Sequence, residues 1–231
     1  MKYNFTNRAG DTGEIILYGP VGESFFGDGI SDADFAREIR SLGNVKRLEV
    51  HLNSEGGDVF AGTAIYNTLA AHPAEVEVHI DGVALSIASV IAMAGDRISM
   101  ARNGYMMIHK PHGIFAGDAD HIRKQADLLD AVQAQIVDTY ASRRGLEVDQ
   151  VDAWVNAETW FNGGAEALEA GMIDQVTDPL KIAAAFDLSQ FKNTPSALQA
   201  KADGVKPAQT SNRSRASAAI ARMKAGIIAS D

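Results

Sequence analysis

Cysteine is absent from the 231 residues. That excludes disulfides, thiolate nucleophiles and cysteine-held metals. None of the six histidines stands in an HExxH arrangement, so a zinc-peptidase site of that type is excluded as well. No GxxxxGK[ST] loop occurs, and any ATP-driven step would belong to another protein. Long apolar runs are missing too. The longest, from Val83 to Gly95, is interrupted by two serines and falls short of the roughly 20 residues needed to span a bilayer. The opening MKYNFTNRAGDTGE has no apolar signal-peptide core. The expectation is a soluble, cytoplasmic protein with no membrane partner, no metal and no cofactor.

Hydrophobic residues make up 46% and charged residues 22%, the balance of an ordinary globular protein. Charge is unevenly spread. Residues 192–231 carry seven Lys or Arg against Asp203 and Asp231, a net of +5, which leaves −14 on residues 1–191 within the total of −9. An acidic body argues against nucleic-acid binding by that body, and a basic tail leaves room for an electrostatic partner.

Periodicity predicts alternating strands and helices. Glu14–Tyr18 reads as a strand. Ser31 opens a helix with Phe35, Ile39 and Leu42 on one face and Gly43 at its end. Leu48, Val50 and Leu52 alternate in a strand that runs into the turn Asn53-Ser54-Glu55-Gly56-Gly57, and Asp58 caps a helix with a stripe through Phe60, Ala61, Ala64, Ile65, Thr68 and Leu69. Val76, Val78 and Ile80 form a strand before Gly82. An apolar helix follows from about Ser86, then short strands at Arg97–Met100 and Tyr105–Ile108. A long helix is predicted from Asp118 to Arg144, with Ile122, Leu129, Val132 and Ile136 facing the core. Two short helices (Val148–Val155, Ala165–Ala170) and a strand (Met172–Val176) close the pattern. The expected fold class is α/β with a largely parallel sheet. Residues 1–180 form the predicted domain. Residues 181–231 form a basic, low-complexity tail expected to be partly disordered, with a linker at Lys192–Arg215 and a short amphipathic helix around Ile220, Met223 and Ile227.

Chemistry concentrates at three places. Ser86 stands at a strand–helix junction, in front of a helix apolar on every face. A serine there caps free backbone N–H groups in most proteins. A buried helix behind it, however, would hold the hydroxyl at a strand end, beside N–H groups able to face an anion. Ser89, one turn further in, reads as a core residue. A nucleophilic serine needs a base, and His109 in NGYMMIHKPHG ends an apolar strand. His112 is the weaker alternative; His51, His72, His79 and His121 read as structural. The Gly56-Gly57 turn can bring bare N–H groups close to a substrate. An acid would orient the histidine. Glu158 in NAETWFNGG is the choice, although spacing alone does not single it out from 30 acids.

The stretches HLNSEGGDVFAGTAIYNTL, GVALSIASVIAMAGD, NGYMMIHKPHG and AETWFNGGAEALEAGMIDQV, in this order, resemble the ClpP-type serine peptidase family. They match its NSPGG turn, GxxxS nucleophile, MIHxP histidine and acid-bearing segment. The resemblance covers roughly Glu14 to Val176 and implies the ClpP/crotonase-like fold of repeated β-β-α units. It implies Ser86 as nucleophile, His109 as general base, and the backbone N–H groups of Gly57 and Ile87 as the oxyanion hole. Glu55 replaces the family proline. Glu158 stands where an aspartate is usual, and alignment from the far end of its segment puts Thr159 there instead. YGPVGESFFGDGISDADFAREIRSLG and ETWFNGGAEA resemble phage-encoded head-maturation (prohead) peptidases. That likeness implies a scaffold or capsid protein as substrate, and the family implies a homo-oligomeric ring. An ATPase partner stays open. Two rivals remain: a crotonase-type acyl-CoA enzyme, whose glycine-rich segment EGGDVFAGTAI also resembles, and a catalytically silent ClpP-like structural protein.

Overall fold

The computed structural model describes residues 2–8, 11–22, 31–180, 186 and 188–198. Among them the chain runs β1 (Lys2–Arg8), β2 (Thr12–Tyr18), α1 (Asp32–Ser41), β3 (Arg47–Ser54), α2 (Val59–Ala70), β4 (Glu75–Leu85), α3 (Ile87–Ala92), β5 (Arg97–Ala101), β6 (Tyr105–Ile108), α4 (Ala119–Arg144), α5 (Val148–Ala157), β7 (Thr159–Asn162), α6 (Gly164–Glu169) and β8 (Gln175–Thr177). The strands form one sheet ordered β1-β2-β3-β4-β5-β8, with β6 beside β4 and β7 beside β6. Only β1–β2 and β6–β7 pair antiparallel. The mixed α/β class with a largely parallel sheet is the one the periodicity predicts. The β-β-α unit recurs at β1-β2-α1 and β5-β6-α4.

Local chemistry sets the helix starts. The Ser31 side chain accepts the Asp34 N–H at the head of α1, and the Asp58 carboxylate accepts the Phe60 and Ala61 N–H groups at the head of α2; such a cap contributes about 1 kcal/mol. α1 buries Phe35 and Ile39, and α2 buries Gly62, Ile65 and Leu69. Phe60, predicted within the buried stripe of α2, is 61% exposed. Every residue of α3 is buried, as an all-apolar helix requires.

Four other features depart from the periodicity. β1 is an additional edge strand, tied to the core by Phe5, whose ring meets Phe35 edge-on at 5.4 Å. β7 is also additional; its four residues pair with β6. β4 continues through Gly82 to Leu85 instead of ending near Ile80. Only the second half of α4 packs inward, through Val132, Ile136, Val137, Tyr140 and Ala141, while Ile122 and Leu128 stay exposed. The inner end is anchored by Arg143, which donates to the Met93, Ala94 and Gly95 carbonyls, and by the Arg144 pair with Asp174. No helix among the described residues is long and apolar enough to cross a membrane.

Past β8, Leu188, Phe191 and Leu198 are buried against Val83, Leu85, Met107 and Trp160. Residues 192–198 therefore pack onto the sheet, although composition places them at the start of a linker. Residues 199–231, including the predicted helix around Ile220, Met223 and Ile227, lie outside the described residues.

Candidate active site

The extension of β4 builds the site. Its first half pairs with β5 through Glu77–Ile80, and its second half pairs with β6 through Val83–Leu85. Asn53 holds the change of partner: its Oδ1 accepts the Val83 N–H at 3.0 Å, where a Cβ on Gly82 would come within 2.4 Å of that oxygen. Leu85 lies opposite Met107 in a parallel register. The next residues of both strands, Ser86 and then His109, consequently emerge side by side at the carboxyl end of the sheet, where α/β proteins place their sites.

Ser86 has φ 55° and ψ −130°, a conformation rare for a residue with a Cβ. Its N–H donates to the Met107 carbonyl at 2.9 Å. Ser89 pins the turn from behind: its hydroxyl lies 2.5 Å from the Ser86 carbonyl, 3.1 Å from that of Met107 and 2.7 Å from the buried Tyr140 hydroxyl. The Ser86 hydroxyl makes no cap bond to α3. It meets His109 Nε2 at 2.7 Å. Capping, the ordinary reason for a serine in this position, therefore does not account for it.

The glycine turn lies against the same junction. A Cβ on Gly56 would stand 2.6 Å from the Leu85 carbonyl and 2.8 Å from Ser86 Cβ, and one on Gly57 would stand 2.1 Å from the Val21 carbonyl. The close approach thus requires glycine at both positions. Ser54 Oγ accepts the Gly56 N–H, and the Val21 carbonyl accepts the Asp58 N–H. Between them the Gly57 N–H has no main-chain acceptor among the described residues, and neither has the Ile87 N–H at the open end of α3. The cleft beside Ser86 and His109 is walled by apolar side chains that include Ile87, Val90, Val132 and Ile136.

His109 is largely buried, its ring 5.5 Å from that of Phe191 and 5.5 Å from that of His112, both edge-on. Burial, reinforced by His112 and opposed by Glu158, lowers its pKa from 6.5 to about 4. The imidazole is therefore neutral at pH 7 and able to accept a proton. A base acts only in this neutral form, so kcat/KM should hold level from neutral pH to about 5 and fall as pH drops through about 4. Replacing His112→Ala removes a like charge and should move that acid limb upward. A pH–rate profile of both proteins checks this, and a wild-type limb at the ordinary 6.5 would contradict it.

Register places Glu158 next to the histidine, since Thr159 pairs with Ile108 across β6 and β7. The Glu158 carboxylate is nevertheless engaged elsewhere. It accepts the Asn193 N–H at 2.6 Å and the Trp160 indole N–H at 3.4 Å, and these bonds outweigh desolvation to lower its pKa. It makes no hydrogen bond to His109 and acts on it through charge alone. Thr159 donates its hydroxyl to the Trp154 carbonyl. Sequence reasoning missed Phe191 and Asn193. Their one signal is an isolated aromatic in an otherwise polar stretch. The remaining histidines stand apart from the site. His51 pairs with Asp81 at 2.9 Å, His79 with Ser99 at 2.8 Å, and His72 accepts the Ala74 N–H. No group of three or more His, Asp or Glu suited to a metal occurs among the described residues.

A serine hydroxyl on a strained strand–helix turn, a neutral imidazole in contact with it and two amides without a main-chain acceptor alongside are the parts from which α/β serine hydrolases build their sites. The Clp protease family model matches residues 2–179, and the chain belongs to that family. It is 32% identical over 133 residues to the ATP-dependent Clp protease proteolytic subunit 1 of Leifsonia xyli subsp. xyli, covering 57% of this chain and 67% of that protein. Against the corresponding subunit of Porphyromonas gingivalis it is 33% identical over 136 residues, 58% of this chain and 60% of that protein. Against subunit 3 of Rhodococcus jostii it is 35% identical over 132 residues, 56% and 64% respectively. The matched part of the chain thus spans roughly two thirds or less of these relatives' lengths.

Proposed function

We propose that this chain is a serine endopeptidase that works through an acyl-enzyme and processes scaffold or capsid proteins during phage head maturation. The observation that carries the chemistry is the 2.7 Å contact between Ser86 Oγ and His109 Nε2. His109 takes the Ser86 proton as the oxygen attacks a peptide carbonyl. The Gly57 and Ile87 N–H groups receive the oxyanion, and the protonated His109 then gives its proton to the leaving amine. Water, activated by the same imidazole, hydrolyses the ester. Glu158 favours the transient imidazolium by its charge. No metal or cofactor takes part.

The likeness of the opening segment and of ETWFNGGAEA to head-maturation peptidases supports the substrate class. So does the basic run of residues 199–231, which suits a cleavable extension beyond the residues 188–198 that pack on the sheet. Exposed Ile114, Phe115, Ile122 and Leu128 support a homo-oligomer, in which a second copy would cover them. The proposed setting is the host cytoplasm and the procapsid.

Co-expression with phage scaffold and capsid proteins, followed by mass spectrometry of all products, tests the substrate assignment. The wild type should yield defined cleavages in a scaffold or capsid protein that vanish with Ser86→Ala. Identical products from both proteins would overturn it, as would an uncut set from the wild type.

A further inference from the structure

Every other side chain in the glycine turn has a visible task. Asn53 holds β4, Ser54 holds the Gly56 N–H, and the two glycines permit the close approach to Ser86. Glu55 has none of these. The turn does not need it, since the resembling family carries proline there and Gly56 and Gly57 hold the positive φ angles. Its side chain lines the same cleft as Ser86 and His109. Its Oε2 is shut off from solvent with no hydrogen-bond partner, and it is the only buried side-chain nitrogen or oxygen in that state among the described residues. A buried carboxylate oxygen without a partner is costly and calls for an explanation. No lysine or arginine occurs among the described residues of the cleft wall, whose other acid, Asp58, is committed to capping α2. No described residue of the cleft wall supplies the missing partner.

We infer that Glu55 is a specificity-determining residue whose free oxygen takes the lysine or arginine side chain of a peptide substrate close to the scissile bond. The inference rests on the peptidase reading and deepens it. Glu55 stands two positions before Gly57, whose amide faces the reacting carbonyl. A carboxylate there, with one oxygen lacking a hydrogen-bond partner, opposes the negative charge that develops on the oxyanion. A cationic side chain seated on Glu55 removes that opposition at the moment it binds. The same carboxylate thus selects basic peptides twice, once in binding and once in the chemical step. Burial also pushes the Glu55 pKa up, so the preference should fade with falling pH sooner than an exposed glutamate would allow.

The test uses pairs of fluorescent peptides that differ only in arginine against its neutral isostere citrulline, placed in turn at each position flanking a mapped cleavage site. Binding is read by anisotropy on full-length Ser86→Ala protein, which cannot turn substrate over, and kcat/KM is read on the wild type. At one position the arginine peptide should bind about tenfold more tightly or better, in the range of a desolvated charge pair, and Glu55→Gln should abolish the difference. In turnover, Glu55→Gln should lower kcat/KM for the arginine peptide and raise it for the citrulline peptide. Thermal melting confirms that the variant is folded, and Glu55→Asp should restore part of the preference. Equal affinities for the two peptides at every position would overturn the inference, and so would an arginine preference that survives Glu55→Gln. Arginine-selective binding together with cleavage that survives Ser86→Ala would instead count against the peptidase reading alone.

Discussion

Replacing Ser86→Ala should lower kcat/KM for a cleaved peptide by about four to six orders of magnitude, and His109→Ala should cost nearly as much. The double variant should be scarcely worse than either single one, because a nucleophile and its base act as a unit. The geometry behind this is specific. The Ser86 hydroxyl makes no cap bond to α3 and is held 2.7 Å from an imidazole that burial keeps neutral. Glu158→Gln offers the contrast. Glu158 acts on His109 only through charge, since its carboxylate is bound to Asn193 and Trp160. Its loss should therefore cost about tenfold or less, far below the roughly 10⁴-fold expected when an acid in direct contact is removed. Steady-state kinetics on the four variants decides this. A Glu158→Gln loss equal to that of His109→Ala would mean that the carboxylate swings onto Nδ1 during turnover.

Gly57→Ala should reduce kcat by about 10²–10³-fold, the usual cost of one oxyanion donor, and should lower the melting temperature as well. The new Cβ would come within 2.1 Å of the Val21 carbonyl, and the residue sits at φ +149°. The turn has to move away from β2's continuation, and its amide moves away from the reacting carbon with it. The control is a substitution on the same turn that leaves the amides alone. Ser54→Ala removes one bond to the Gly56 N–H and should cost much less. Pre-steady-state kinetics separates the steps. A slowed acylation with unchanged substrate affinity is the expected signature, and a full loss of folding in Gly57→Ala would point to a purely structural turn.

The candidate site was legible where chemistry and strand pattern coincide. Ser86 and His109 each stand where an apolar segment ends, and the resemblance to the ClpP-type motifs singled them out; the pairing of β4 with β6 that sets them side by side was not legible from period two. Elsewhere the signal was too weak. β7 is four residues long, with only Trp160 and Phe161 to mark it, and β1 is an edge strand whose alternation is carried by few apolar residues. Gly82 reads as a strand end because glycine usually breaks alternation. Here it admits the Asn53 side chain while the strand runs on to Leu85. Ile122 fits the stripe of α4 by spacing, yet among the described residues no layer covers it. Phe191 and Asn193 reach the site from a distant, polar stretch. What draws them there is the apolar patch of Val83, Leu85, Met107 and Trp160, which local periodicity does not reveal.

The most direct measurement is labelling by a fluorophosphonate followed by peptide mapping, because the reagent reports an activated serine without any assumption about substrate. The label should appear on Ser86 alone, and it should be lost in His109→Ala even though the hydroxyl is still present. A protein that cleaves its substrate while Ser86 stays unmodified, or that carries the label on another serine, would contradict the account.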